Sequence, residues 1–132
     1  MYSDEQIALC RYRLEKSAEF LADAEKTLTF EMYDTAANRS YYAIFHAVRA
    51  LFALDGKDFK KHSGVIAFFQ MDYIKTGVFE KRMSDIIKSA FSLRTDSDYE
   101  DFFMISHDEV KRQVAEAAEF YENISEYLKT KI

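Results

Sequence analysis

Asn38-Arg39-Ser40-Tyr41-Tyr42-Ala43-Ile44-Phe45-His46-Ala47-Val48-Arg49-Ala50-Leu51-Phe52 has the apolar spacing of a buried helix, yet it carries Arg39, Tyr42, His46 and Arg49 at steps of three and four. At about 100° per residue, Arg39 and His46 fall within roughly 20° of the same azimuth, with Tyr42 between them. A stripe holding a permanent cation, an imidazole and a phenol is unfavourable against an apolar core. Its members therefore either satisfy one another or line a site.

On either side of this segment the chain reads as helix. It contains no proline, and its glycines are Gly56, Gly64 and Gly77, so long helices are allowed and breaks are few. Ser3-Asp4-Glu5-Gln6 reads as a capping box. Ile7, Cys10, Leu14, Ser17, Leu21, Ala24 and Leu28 then repeat on one face, small residues alternating with large ones. The quoted segment belongs to a second helix from about Asp34 to Leu54, stopped by Asp55-Gly56.

A third helix begins near His62 or Ser63, buries Val65, Phe68, Phe69 and Tyr73, and breaks at Gly77. A fourth presents Phe79, Met83, Ile86, Ile87, Ala90 and Phe91. The periodicity fails after Leu93, so Arg94-Thr95-Asp96-Ser97-Asp98-Tyr99 reads as a polar connection. Ser106-His107-Asp108-Glu109 is a second capping box, opening a helix that repeats Val110, Val114, Ala117, Tyr121, Ile124 and Leu128. The expected fold class is all-α: an up-and-down bundle of four to five helices forming a single domain over residues 1–132.

Composition narrows the function. The chain has 132 residues, 48% hydrophobic and 31% charged, which suits one soluble domain. No apolar run reaches the roughly 20 residues needed to span a bilayer. Met1-Tyr2-Ser3-Asp4-Glu5 lacks the layout of a secretory signal, and the lone Cys10 cannot form an internal disulfide, so a cytoplasmic location is expected. A net charge of −5 argues against a generally basic nucleic-acid binder. Lys57-Asp58-Phe59-Lys60-Lys61-His62 is the best local basic patch, or else a solvated loop between helices.

Metal sites are not indicated. His46, His62 and His107 are scattered, and neither HExxH, paired cysteines nor Glu-x-x-His occurs. No cofactor is implied, and Cys10 reads as a small core residue. The Arg39/Tyr42/His46 stripe admits a structural reading, in which Arg39 pairs with a carboxylate and His46 with a neighbouring helix. It also admits a chemical one. Arginine binds phosphate bidentately, and a histidine moves protons near neutrality. These are the two needs of metal-independent RNA cleavage: activating a ribose 2′-hydroxyl and stabilising phosphorane charge. Arg94 and Asp98 have ion-pair spacing if the helix reaches them; otherwise Asp98 holds Arg94 for a phosphate, and Tyr99 hydrogen-bonds or stacks on a base.

Ala37-Asn38-Arg39-Ser40-Tyr41-Tyr42-Ala43-Ile44-Phe45-His46-Ala47, then Lys61-His62-Ser63-Gly64-Val65, then Arg94-Thr95-Asp96-Ser97-Asp98-Tyr99 together resemble the HEPN domain family, and specifically its small stand-alone members. The resemblance implies a helical bundle that commonly dimerises, and a toxin that acts on or binds RNA or a nucleotide. It also implies an antitoxin partner of the minimal nucleotidyltransferase (MNT) type. Active members carry Arg, four to six residues, then His, and two copies meet across the dimer. Arg39 and His46 have this spacing but lie on the second helix. At the usual place, before the last helix, Arg94 is followed by Tyr99 where histidine is expected. Tyrosine, with a reference pKa near ~10, is a poor base at neutral pH. Catalysis therefore requires His46 or His62 to approach Arg94.

The candidate catalytic residues are thus Arg39, His46, Arg94, Asp98 and Tyr99, with Tyr42, Lys61, His62 and Ser63 binding substrate. The first hypothesis is a ribonuclease toxin, with Arg94 as phosphate clamp and His46 as proton carrier. The second is a non-catalytic module for a nucleotide or an MNT partner, and the third a purely structural helical interaction protein. Phe102-Phe103-Met104-Ile105 cannot all face one core, which assigns Phe102 and Phe103 to a homodimer interface.

Overall fold

The computed structural model describes residues 1–99 and 105–132, with side chains described up to 95 and again from 105. Phe102 and Phe103 lie outside the described residues, as do the side chains of Asp98 and Tyr99. Five α-helices follow in order: α1 (Asp4–Thr29), α2 (Tyr33–Asp55), α3 (His62–Phe69), α4 (Lys81–Tyr99) and α5 (His107–Lys129). A π-helical turn, Gln70–Ile74, extends α3.

Local chemistry sets these limits. Ser3 caps α1 in a complete capping box with Gln6, satisfying two N-terminal amides that would otherwise lack partners. Gly56 ends α2 at φ +68°, in the left-handed region that a Cβ disfavours. Ser106 caps α5 by accepting from the Glu109 amide. Gly77, at φ +82°, ends the stretch that follows α3.

α2 is the axis of the bundle. Its buried residues come from every side of the helix, from Ala36 and Ala37 to Phe52, Ala53 and Leu54. A helix apolar all round belongs in the middle. α1 packs along most of its length, α5 and α4 cover its other sides, and α1 and α5 also touch. α1 meets α2 through small side chains: Cys10, Ser17 and Ala24 are all fully buried, and the Ser17 hydroxyl donates to the Ala43 carbonyl at 2.6 Å. Burial pushes the Cys10 thiol up to about 11, so it sits in the core as a neutral group.

Two helices differ from the sequence reading. α4 does not stop at Leu93 but stays helical through Tyr99. The polar run contains no helix breaker, and Thr, Ser and Asp only lower helix propensity by fractions of a kcal/mol, roughly 0.7 or less per residue. On α5, Phe120 rather than Tyr121 is the aromatic in the core; Phe120 is fully buried and Tyr121 is half-buried. Ala117, Phe120, Ile124 and Leu128 are the buried apolar positions of this stretch, and one step of three followed by steps of four keeps them on one helical face. Among the described residues, no helix is long and apolar enough to cross a membrane.

Candidate functional site

Arg94 projects from α4 across α2, where its guanidinium lies 5.6 Å from the Tyr41 ring centre and 5.7 Å from that of Tyr42. Its Nη2 donates to the Tyr42 hydroxyl at 3.3 Å. The Tyr41 hydroxyl lies 2.7 Å from Nδ1 of His62, the first residue of α3. The His62 ring packs on Phe45 with centroids 4.3 Å apart. Consecutive tyrosines on α2 therefore connect an arginine from one neighbouring helix to a histidine from another.

The electrostatics suit proton transfer. Burial, then the Arg94 and Arg49 charges, hold His62 below its ordinary value, so its imidazole is neutral at pH 7. Burial raises the Tyr41 hydroxyl above its ordinary range, so the phenol keeps its proton. In the tautomer whose Nδ1–H donates to the Tyr41 oxygen, Nε2 is the nitrogen that can accept a proton from a ligand. His62 also lines a hollow of about 480 Å³ together with Phe45, Arg49, Asp58, Phe59 and Lys60.

His46 lies on another face of α2. Its ring stacks on Phe20 of α1 at 5.1 Å and lines a separate hollow of about 410 Å³ with Tyr12, Lys16, Glu19 and Asp23. Tyr42 borders both histidines, its ring centre 6.4 Å from His46 and 6.1 Å from His62. Arg39 donates to the side chain of its neighbour Asn38, and the bonded array runs through Tyr41 and Tyr42. Lys61 caps the start of α3 through its backbone, without a side-chain cap bond, and Lys61 and Ser63 are both exposed at the rim. α4 carries Asp98 about one turn beyond Arg94.

Sequence reasoning missed Arg13. It stands on the buried face of α1, only 8% exposed, and donates to the Arg49 carbonyl at 3.0 Å. The signal was its position three residues after Cys10 and four before Ser17, in an otherwise uncharged repeat. The part played by Tyr41 was also missed, because a tyrosine in a buried helix face reads as core until its hydroxyl partner is known.

Burial, followed by the Arg49, Arg13 and Lys16 charges, pushes His46 down to about 4, and its Nδ1 is buried without a hydrogen-bond partner. The unfolded chain takes up this proton near pH 6.5 and the folded chain only near 4, so stability is full above 6.5 and declines as pH falls toward 4. The shift corresponds to about 3 kcal/mol at most, and to about 1–2 kcal/mol after allowance for the ring's partial exposure. Urea denaturation should therefore show a smaller loss between pH 7 and 5 for His46→Gln than for the wild type. Parallel curves would mean the imidazole does not feel this burial.

The HEPN domain sequence model matches residues 10–128. This chain belongs to the HEPN domain family. The matched span of the HEPN chain takes in Arg13, α2, α3 and Arg94. Among its relatives, a Thermotoga maritima "UPF0332 protein" is 32% identical, covering 95% of each chain. Two Methanocaldococcus jannaschii proteins are similar as well. The one named "Putative toxin MJ0142" is 30% identical over 89% of this chain and 80% of its own. "Putative toxin MJ0605" is 32% identical, over 88% and 86%.

Proposed function

We propose that this HEPN chain is a toxin that binds RNA at the Arg94–Tyr42–Tyr41–His62 array and cleaves it without a metal. The observation that carries the reading is the joining of Arg94 to His62 through two adjacent tyrosines. The toxin names of two relatives support the biological class.

In this mechanism His62 is the tautomer whose Nδ1–H donates to the Tyr41 oxygen, and its Nε2 accepts the proton of a ribose 2′-hydroxyl. The resulting oxygen attacks the adjacent phosphorus, and Arg94 stabilises the charge gathering on the phosphorane. The 5′-oxygen leaves with a proton returned from the imidazolium, giving a 2′,3′-cyclic phosphate and a 5′-hydroxyl end. Tyr41 fixes the ring of His62, and Tyr42 fixes Arg94. His62 takes the proton-carrying role ahead of His46, because His46 is stacked on Phe20 and holds its proton only near pH 4. A homodimer would bring two such arrays together, and an antitoxin of the MNT type would restrain them.

The test is cleavage of end-labelled RNA in EDTA. Arg94→Ala and His62→Ala should each lose activity by about a hundredfold, while His46→Ala keeps most of it, all three remaining helical by circular dichroism. Loss in His46→Ala with activity kept in His62→Ala would transfer the role to His46. No cleavage by the folded wild type would favour the second reading, a module that binds a nucleotide or an MNT partner. Tyr99 in place of the family's histidine already points in that direction.

A further inference from the structure

Beside the His62 hollow, the loop between α2 and α3 places a carboxylate among cations. Asp58 accepts from Arg49 Nη2 at 3.1 and 3.2 Å and from the Phe59 amide at 2.9 Å, and lies 3.6 Å from Arg13 Nη2. Arg13 is anchored by its bond to the Arg49 carbonyl, and Asp58 is the most exposed of the three side chains. The Arg13 side chain is 10% exposed and that of Asp58 59%. Asp58 also lines two hollows, the one of about 480 Å³ with Lys60 and His62 and another of about 290 Å³ with Arg13 and Lys57.

We propose that Arg13, Arg49 and the Phe59 amide form a site for a phosphate monoester, which Asp58 fills in the unliganded chain. Two neighbouring guanidinium groups, one nearly buried, repel each other unless an anion lies between them. Asp58 supplies that anion from an exposed loop, and an exposed ion pair is weak enough to exchange. Arg49 keeps a further donor, its buried Nε, without a hydrogen-bond partner.

The charge of the ligand follows from the competition. A phosphodiester carries one negative charge and gains nothing over the carboxylate it must displace. A monoester, whose second ionisation lies near pH ~6, approaches two charges at neutrality and offers three terminal oxygens. Asp58 belongs to the lining of both hollows, with Lys60 and His62 in the first and Lys57 and the Glu5 carboxylate in the second. The source is either a free mononucleotide or the 5′-phosphate end of an RNA. The site adjoins the proposed cleavage array and rests on that reading only for RNA as one of these sources.

Isothermal titration of the full chain decides it, with four probes: inorganic phosphate, adenosine 5′-monophosphate, and one short RNA carrying either a 5′-phosphate or a 5′-hydroxyl. Asp58→Asn removes the competing charge and should bind phosphate-bearing probes about tenfold more tightly than the wild type, with the 5′-hydroxyl RNA unchanged. Arg49→Ala should lose the phosphate-dependent part. Arg49→Lys, which keeps the charge without the fork, should weaken it and guards against a folding defect in the alanine variant. A gain shared by inorganic phosphate and the mononucleotide identifies the free nucleotide, whereas a gain confined to 5′-phosphorylated RNA identifies the RNA end.

Unchanged or weaker phosphate binding by a folded Asp58→Asn would overturn the proposal and leave Asp58 as a brace between α1 and α2. An equal gain for the 5′-hydroxyl RNA would overturn the monoester assignment. Because binding is scored and not cleavage, a chain that takes the phosphate but cuts nothing would count against the nuclease reading alone.

Discussion

Phe120→Ala is expected to destabilise the fold by about 4 kcal/mol, a large fraction of the roughly 5–15 kcal/mol that a domain commonly has to lose. Phe120 is fully buried, and its ring meets Phe69 of α3 with centroids 5.6 Å apart. Phe69 in turn touches Tyr73 and Phe79, so one ring ties α5 to the whole segment between α3 and α4. Removing it leaves a hole that rigid helices on several sides cannot close. Urea denaturation should show a lower midpoint with an unchanged slope. Tyr121→Ala, one residue along and only half-buried, should cost less than half as much. Similar losses for the two variants would mean that the α5 face is set differently.

The second large effect is expected at Ser17. Leucine there removes the 2.6 Å bond to the Ala43 carbonyl and forces extra methylenes into a fully buried position. The lost bond is worth about 1 kcal/mol and the overpacking about 1–3 kcal/mol more. Ser17→Ala loses the bond but keeps the volume, so it isolates the first contribution. Thermal melts of the pair should place Ser17→Leu well below Ser17→Ala. If the two melt together, α1 and α2 have room to spare, and the small residues at Cys10, Ser17 and Ala24 do not set their separation.

Much of the fold was legible in the sequence because its signals are local. Ser3 with Gln6, Gly56 after Asp55, and Ser106 with Glu109 each act within a few residues, and each marks a helix end. The α4 boundary was harder to read. A polar run without glycine or proline looks like a loop when periodicity is the guide, although nothing in Arg94 to Tyr99 prevents helix.

The site was legible in part. Arg94, Tyr42, His62 and His46 stand out as polar groups in apolar surroundings. Their pairing depends on how the helices pack around α2, and spacing along one helix carries no information about that. Arg39 and His46 share an azimuth on α2, yet the bonds run sideways from Tyr42 to Arg94 and from Tyr41 to His62. Arg13 shows the same limit, since its partners Arg49 and Asp58 are distant in sequence and meet it only in the assembled bundle.

The central position of α2 also governs how the molecule can move. Amide protons along the middle of α2, from Ser40 to Ala50, lie under α1, α4 and α5 and should exchange with solvent only when the whole protein opens. Tyr41, Tyr42 and Arg49 are therefore expected on slowly exchanging backbone. His62 and Asp58 hang from the exposed connection and short helix that follow, where opening is local and far more frequent. Tyr41 and Arg49 thus keep a fixed address, and adaptation to a ligand falls to their partners His62 and Asp58.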